Sequence, residues 1–583
     1  MTGKLRVCVT AAAIGAALLG GPAATSAASR SAAGAAGWRQ VIVTGQPGAL
    51  ADVEHQVIAA GGRIERALPL VAGVAARLPA DRIGEVRALP GVRSVSDDAV
   101  GHLMSNDPVL GYDLTGDEGS TLEIAQVTHA NDAWKKGATG AGVDVALIDS
   151  GVVPVPGLNS GNVINGPDLS FESTQPALRY LDTYGHGTHM ASIIAGRDVR
   201  QSGKDYAAAT NHTFSGIAPD ARIISLKVAT SDGAADVSQV IAAIDWVVQH
   251  AHDPGFNIRV LNLSYGTDST QPATIDPLAY AVENAWRAGI TVVVASGNDG
   301  TQRTTLADPA DDPLVIAVGA DDPEGDQGIG NDQVPVWAQR GTDQRHVDLI
   351  APAVHVLGLR APGSAVDQAN ASARVGGRFF RGSGTSQAAA VVSGLAALYL
   401  SQFPAASPDQ VKAALIGSAK LPSAERPIHA GYGVPDVQRA LTGKQPTATQ
   451  PPSYASGWGS LEAARGSMHV NDGLADLVGE FDIFGKPWDA AGWAAASTAR
   501  TAWQGGVWNG STWTGTDWSG SSWTQSWASN AWAVNDWTSH AWSSHVWGSH
   551  AWRADGWSGG SWTGSAWSSN AWAGHAWSTF GWS

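Results

Sequence analysis

The sequence predicts an α/β protein whose main domain is a parallel sheet covered by helices, with a small α+β unit before it and an aromatic repeat after it. Three observations carry this. Between residues 140 and 420, short apolar runs alternate with helical stretches, the pattern of a parallel sheet with crossover helices. Residues 39–99 follow the order βαββαβ instead. Beyond Trp488, tryptophan recurs at nearly every fifth position.

The chain opens with "MTGKLR", which carries two positive charges, then the apolar run "VCVTAAAIGAALLGG" and the small residues "ATSAAS". That succession is a secretory signal peptide over 1–27, cut after Ala27 or Ala28. The apolar run is short for a membrane span, so the mature chain is expected to have no transmembrane segment. The one cysteine, Cys8, leaves with the leader, which excludes a disulfide framework and a cysteine metal site. A formal net charge of −16 argues against nucleic acid as a partner, because that binding rests on basic patches.

In the first unit, "RQVIVTG" reads as a strand and "GALADVEHQVIAAGG" as a helix. "RIERALPLVAGVAARLP" gives two strands about a turn, "ADRIGEVRALPG" a second helix and "VRSVSDDA" a last strand. This is a small α+β sandwich, and alone it implies no activity. In the main domain the strands are "VDVALID" (143–149), "RIISLKVA" (222–229), "RVLNLSYG" (259–266), "ITVVVASGN" (290–298) and "LVIAVGA" (314–320). They are continuous apolar runs, as strands covered on both faces require. Helices fall near 186–196, 236–250 and 276–288.

Functional groups in such sheets gather at the carboxyl ends of the strands. Asp149 closes the first strand, His186 opens a helix, Asn298 ends a later strand, and Ser386 opens an apolar helix after "FRGSGT". For Ser386 a bland reading stands beside a chemical one: Thr385 or Ser386 could simply be an N-cap. The set as a whole favours chemistry. Serine needs a base to become a nucleophile, a carboxylate fixes the histidine tautomer, and an amide stabilises an oxyanion.

The segments "VALIDSGV", "HGTHMASIIAG", "GIAPDARIISLKV", "SGND" and "SGTSQAAA" resemble the signatures of subtilisin-type serine proteases, in that family's chain order, from about residue 122 to 442. The resemblance implies a serine endopeptidase in which Asp149 orients, His186 is general base and acid, Ser386 attacks and Asn298 stabilises the oxyanion. His189 is then a structural neighbour. Gln387 departs from the family, where methionine is usual. The resemblance also makes "LSYG" (263–266) and "ASG" (295–297) the segments that line the primary pocket and pair with substrate. The expected substrate-binding residues are therefore Ser264, Tyr265, Gly266, Ala295, Ser296 and Gly297. Neither segment carries an acid, so an apolar P1 residue is expected. Tyr265 stands between covering adjacent subsites and packing in the core.

By the same resemblance the βαββαβ unit is an inhibitory propeptide, residues 28–104, cut after Met104. The catalytic domain then runs over 105–442. No cofactor is expected for the chemistry and no metal site is assigned. Structural calcium is common in the family, and the loop "ADDPEGDQGIGND" (320–332) has oxygen ligands for it, although a solvated acidic loop is the commoner explanation of such residues.

"GKQPTATQPPSYAS" (443–456) reads as a Pro/Ser/Thr linker, followed by a connecting segment (457–488) and the tryptophan pentads (489–583). A spacing of five fits neither one helix face nor one strand face, and so regular a repeat suggests a stacked or fibrous array. His540, His545 and His550 each precede a tryptophan by two positions, through repeat drift rather than as a metal ladder. The expected protein is a secreted, self-processed endopeptidase acting on proteins and peptides, with its own propeptide as inhibitor. Its indole rows would either hold cell-wall polymer and retain it at the envelope or serve as a structural, self-associating spacer. The alternative is an envelope-binding or structural protein whose protease domain serves mainly its own maturation.

Overall fold

The computed structural model describes residues 38–97 and 119–512, apart from 47, 70–71, 176–177, 209–212, 301–302, 471–475 and 505–506. The expected signal peptide, the Met104 cleavage site, the repeat beyond Thr512 and its three histidines lie outside these residues. The described chain forms two compact units.

The first unit pairs β1 (Trp38–Gly45), β2 (Arg63–Leu68), β3 (Gly73–Pro79) and β4 (Val92–Asp97) as an antiparallel sheet in the order β2-β3-β1-β4. Helices Leu50–Ala59 and Ile83–Arg87 complete the expected βαββαβ order. Its core follows from periodicity: Val41 and Val43 alternate inward on β1, and Val53 and Val57 face them from one side of the first helix.

The second unit is built on seven strands: β5 (Asp144–Asp149), β6 (Val163–Asp168), β7 (Arg222–Lys227), β8 (Ile258–Leu263), β9 (Thr291–Ala295), β10 (Ile316–Asp321) and β11 (Leu349–Pro352). They run parallel in the order β11-β10-β9-β8-β5-β7-β6. The five strands expected from apolar runs are the five central ones. The two edges escaped that reading because β6, "VINGPD", is half polar and β11 has four residues ending in Pro352; proline belongs on edges, where a missing donor costs no ladder bond.

The helix Thr385–Gln402 is buried from Thr385 to Leu400, which explains a sequence apolar on every side. It packs on β8, β9, β10 and β11 and against the helix His186–Ala195. A small antiparallel sheet, β12 (Val356–Leu359), β13 (Arg374–Val375) and β14 (Phe379–Gly382), leads straight into it.

Residues 443–456, expected as a linker, are held against this unit. Gln410 Nε2 donates to the Pro446 carbonyl (3.0 Å), the Gln450 amide to Asp409 Oδ2 (3.0 Å), and the amides of Tyr454 and Ala455 to Glu283 Oε1 (2.6 and 2.7 Å). The connecting segment is no looser: Arg465 is fully buried and its Nε pairs with Asp236 at 2.6 Å. The first pentad tryptophans, Trp488, Trp493, Trp503 and Trp508, are core residues. Trp488 precedes the helix Ala490–Thr498, which carries Trp493, while Trp503 and Trp508 sit on the short strands β15 (Trp503–Gln504) and β16 (Val507–Trp508), the latter paired with β17 (Ser511–Thr512). Trp493, Trp503 and Trp508 donate to the helix Val237–His250. Asp245 of that helix accepts both the Trp493 and Trp508 indole N–H groups on Oδ2, at 2.8 and 2.9 Å. Its Oδ1 accepts the Ser497 hydroxyl at 2.5 Å.

Candidate active site

Asp149 is the last residue of β5 and His186 the first of its helix. His186 Nδ1 lies 2.9 and 3.0 Å from the two Asp149 oxygens. Both side chains are buried, at 0% and 1% exposure, so the ion–dipole contact is little screened. The approach depends on glycine: a β-carbon at Gly187 would sit 2.2 Å from the Gly151 carbonyl oxygen.

A second carboxylate, not singled out in the sequence, organises this corner. Asp182 is fully buried and accepts the amides of Gly185 (2.6 Å) and Thr188 (2.7 Å) and the Ser150 hydroxyl (2.8 Å). It ties the start of the histidine helix to the residue after Asp149. Burial pushes its carboxyl above the usual range. Lys227 ends β7 in register with Asp149. Its ammonium donates to the Ser150 and Leu181 carbonyls at 3.0 and 2.6 Å and pairs with Glu172 at 2.9 Å. The only sequence signals were a lysine inside an apolar strand and an aspartate four residues before a helix-opening histidine.

Ser386 is the second residue of its helix and is 2% exposed. Neither Thr385 nor Ser386 is the cap. Gly384 occupies that position without a side-chain cap bond, and the Thr385 amide donates instead to Asn298 Oδ1 at 3.0 Å. Thr385 Oγ1 donates to the same oxygen at 3.0 Å and accepts the Gly297 amide at 3.2 Å. Asn298 Oδ1 thus accepts both the amide and the hydroxyl of Thr385. His189 is buried one turn along from His186, and burial together with that neighbour pushes its pKa down to about 3, so it stays neutral.

The sequence matches the family described as "Subtilase family" over residues 140–459 and that described as "Putative peptidase inhibitor domain" over 29–98. The chain belongs to the subtilase family. It is 34% identical to Serine protease AprX of Bacillus subtilis (strain 168) over 327 residues, covering 55% of this chain and 71% of that one. To Subtilisin E of the same strain it is 29% identical, over 65% of this chain and 83% of that one. To the Extracellular serine proteinase of Thermus sp. (strain Rt41A) it is 28% identical, over 61% and 73%. This subtilase is therefore a serine protease preceded by an inhibitor-type domain, on the α/β fold expected.

The expected substrate segments end the adjacent strands β8 and β9. Ser264 Oγ accepts from Asn262 and donates to the Ser386 carbonyl at 3.3 Å. Ser296 Oγ donates to the Gln339 carbonyl at 2.9 Å. Tyr265 is 1% exposed in the core, its hydroxyl 3.4 Å from the Ala235 carbonyl, which favours its packing role over subsite cover. Gly266 faces Ala307 so closely that a β-carbon would come within 2.8 Å of Ala307 Cβ. Gly297, at φ +106°, lies against Gln339 in the same way.

The sequence reading missed residues 307–308, which run between the two segments. The Ala307 amide donates to the Ser296 carbonyl (3.0 Å), and Thr267 and Asp308 exchange backbone bonds of 2.9 and 3.0 Å. The Asp308 carboxyl is buried, and burial together with Asp276, Asp311 and Asp312 holds it well above the usual range. Gln387, the departure from the family pattern, is fully buried with neither amide atom hydrogen-bonded.

Among the described residues no helix is long and apolar enough to cross a membrane.

Proposed function

We propose that this subtilase is a secreted endopeptidase made as a self-processed zymogen, with Ser386 as nucleophile, His186 as general base and acid, Asp149 as the orienting carboxylate and Asn298 as an oxyanion donor. The observation that carries the reading is the bidentate approach of Asp149 to His186 Nδ1. That bond places the proton on Nδ1 and leaves Nε2 to receive the Ser386 hydroxyl proton. The acyl-enzyme forms as Ser386 Oγ attacks the scissile carbonyl, and His186 returns the proton to the departing amine. Nδ2 of Asn298 supports the developing oxyanion, aided by the start of the Ser386 helix.

The inhibitor-type domain is the enzyme's own propeptide, released by cleavage after Met104. Neither pocket segment, 263–266 nor 295–297, carries an acid, which supports an apolar P1. Secretion rests on the composition of residues 1–27, in line with the extracellular name of the Thermus relative. Attachment of the tail to cell-wall polymer rests on the pentads alone.

The test is the intact mass and N-terminal sequence of secreted wild type and Ser386→Ala, with hydrolysis of a peptide panel differing at P1. Self-processing requires wild type to begin at or near Ser105 and Ser386→Ala to retain its propeptide and cleave nothing. Identical processing in both would assign the cut to another protease. Autocleavage without turnover of added peptides would favour the structural alternative.

A further inference from the structure

Asn298 lies past the end of β9, in a segment with no helix or strand of its own, and the residue before it is Gly297 at φ +106°. Glycine gives a chain its widest conformational freedom. The amide of Asn298 therefore hangs on the most pliable residue of its loop. Thr385 holds the side-chain oxygen of Asn298, but the backbone on both sides of it is tied to one remote residue, Gln339.

Gln339 follows the turn that the Ala338 amide closes on the Pro335 carbonyl at 3.1 Å, and it is 1% exposed. It meets the Asn298 segment with its main chain and its side chain together. Its amide donates to the Gly297 carbonyl at 3.0 Å, and its carbonyl accepts the Ser296 hydroxyl at 2.9 Å. Its Oε1 accepts the Asp299 amide at 3.3 Å, while its Nε2 donates to the Thr305 carbonyl at 2.9 Å. A β-carbon at Gly297 would overlap that same Oε1, so the carboxamide fills the space beside the glycine. One step on, a β-carbon at Gly300 would lie 2.6 Å from the Val336 carbonyl oxygen. Residues 336–339 thus run along 297–300. A carboxamide suits the place because one planar group carries both an acceptor and a donor, the first for residue 299 and the second for residue 305.

We propose that Gln339 is a positioning residue for Asn298: by clamping the chain at 296, 297 and 299 it sets the direction in which the Asn298 amide meets the developing oxyanion. The inference rests on the oxyanion role proposed for Asn298. A donor of this kind contributes because it is already aimed when charge develops, and a displacement of about 1 Å costs on the order of 10²-fold in rate. Loosening the clamp should therefore appear in kcat rather than in KM, since the oxyanion needs the donor more than the ground-state carbonyl does. The competing role is that of pocket wall, because Gly297 is also an expected substrate-binding residue. A pocket wall would act on KM and on the ranking of P1 residues.

The test uses the secreted full chain, with competent sites counted by titration with a sulfonyl fluoride, and chromogenic peptides differing at P1. Gln339→Met keeps nearly the same volume and removes both side-chain hydrogen bonds. It should lower kcat about tenfold, less than the roughly 10²–10³ expected for loss of the donor itself in Asn298→Ala, and leave KM within about twofold. In the Asn298→Ala background the same substitution should cost no more than about twofold. Gln339→Glu keeps the acceptor and, while protonated, the donor, so its kcat relative to wild type should fall as the pH rises. An unchanged kcat in Gln339→Met beside a lowered one in Asn298→Ala overturns this inference alone. So does a loss confined to KM or to P1 ranking, or an equal loss with and without Asn298. An Asn298→Ala that keeps full kcat overturns the oxyanion reading, and this inference with it. If Gln339→Met does not accumulate, the pH dependence of Gln339→Glu with and without Asn298 decides.

Discussion

Gly187 and Asp149 stand so close that a β-carbon on the glycine would lie 3.1 Å from the aspartate's Oδ1. The histidine helix thus reaches the carboxylate only because its second residue has no side chain. Gly187→Ala must push the helix away from β5, since the other obstruction is the Gly151 backbone, which has no rotamer to yield. Overpacking of this kind costs about 1–3 kcal/mol, and displacing a catalytic group by about 1 Å costs on the order of 10²-fold in rate. Gly187→Ala is expected to lower kcat about 100-fold and to reduce Tm. Steady-state kinetics with a chromogenic peptide, alongside a melt, checks both.

Asp245 makes a second sharp case. Burial pushes its carboxyl up to about 6, so the folded chain keeps a proton that the unfolded chain releases near pH 4. Its contribution to stability is therefore complete at low pH and is lost as the pH rises from about 4 through about 6. Asp245→Asn keeps an acceptor for the two indoles and a donor for Ser497 without titrating. Its Tm relative to wild type should climb by about 3 °C between pH 4 and pH 7. Asp245→Ala strands three buried donors and should cost about 3–5 kcal/mol at every pH. A flat difference between wild type and Asp245→Asn would show that Asp245 does not titrate in this range.

The same cluster makes these tryptophans part of the core of the second unit. A chain stopped after Gly485 loses Trp488, Trp493, Trp503 and Trp508 together and uncovers Asp245 and the helix that bears it. One stopped after Thr512 keeps all of them. The shorter chain should melt far below the longer one, or fail to accumulate, because several buried indoles are lost at once. Matching melts of the two truncations would make the tryptophan cover dispensable.

What the sequence made legible follows from which signals are local. The five inner strands announced themselves as unbroken apolar runs, whereas β6 carries Asn165, Gly166 and Pro167 and looks like a turn until β7 pairs with it. Asp149, His186 and Ser386 were visible because each stands at the end of an element, whereas Asn298, expected to end a strand, lies three residues beyond β9. Asp182 and Lys227 were not, since a buried charge and a solvated one read alike until the donors around them are placed. Residues 443–456 had a linker's composition, yet the groups that hold them, Asp409, Gln410 and Glu283, come from remote helices. For the tryptophans the period was plain, but its anchor, Asp245, lies some 250 residues earlier.

Gln387 gives the last prediction. Its amide is fully buried beside Ser386, and neither its oxygen nor its nitrogen has a partner. An amide taken from water without compensation costs about 1–3 kcal/mol by mutational measures. Leucine removes the polar atoms at nearly the same volume. Gln387→Leu should therefore raise stability by about 1–2 kcal/mol, seen as a higher Tm in the inhibited enzyme. The comparison with Gln387→Glu sharpens it. An ionised carboxylate in the same place would cost more than the amide, so the melts should rank leucine above glutamine above glutamate, the last gap widening as the pH rises. A Gln387→Leu that melts below wild type would mean that the amide finds partners in solution, and the cost assigned to it here would fall.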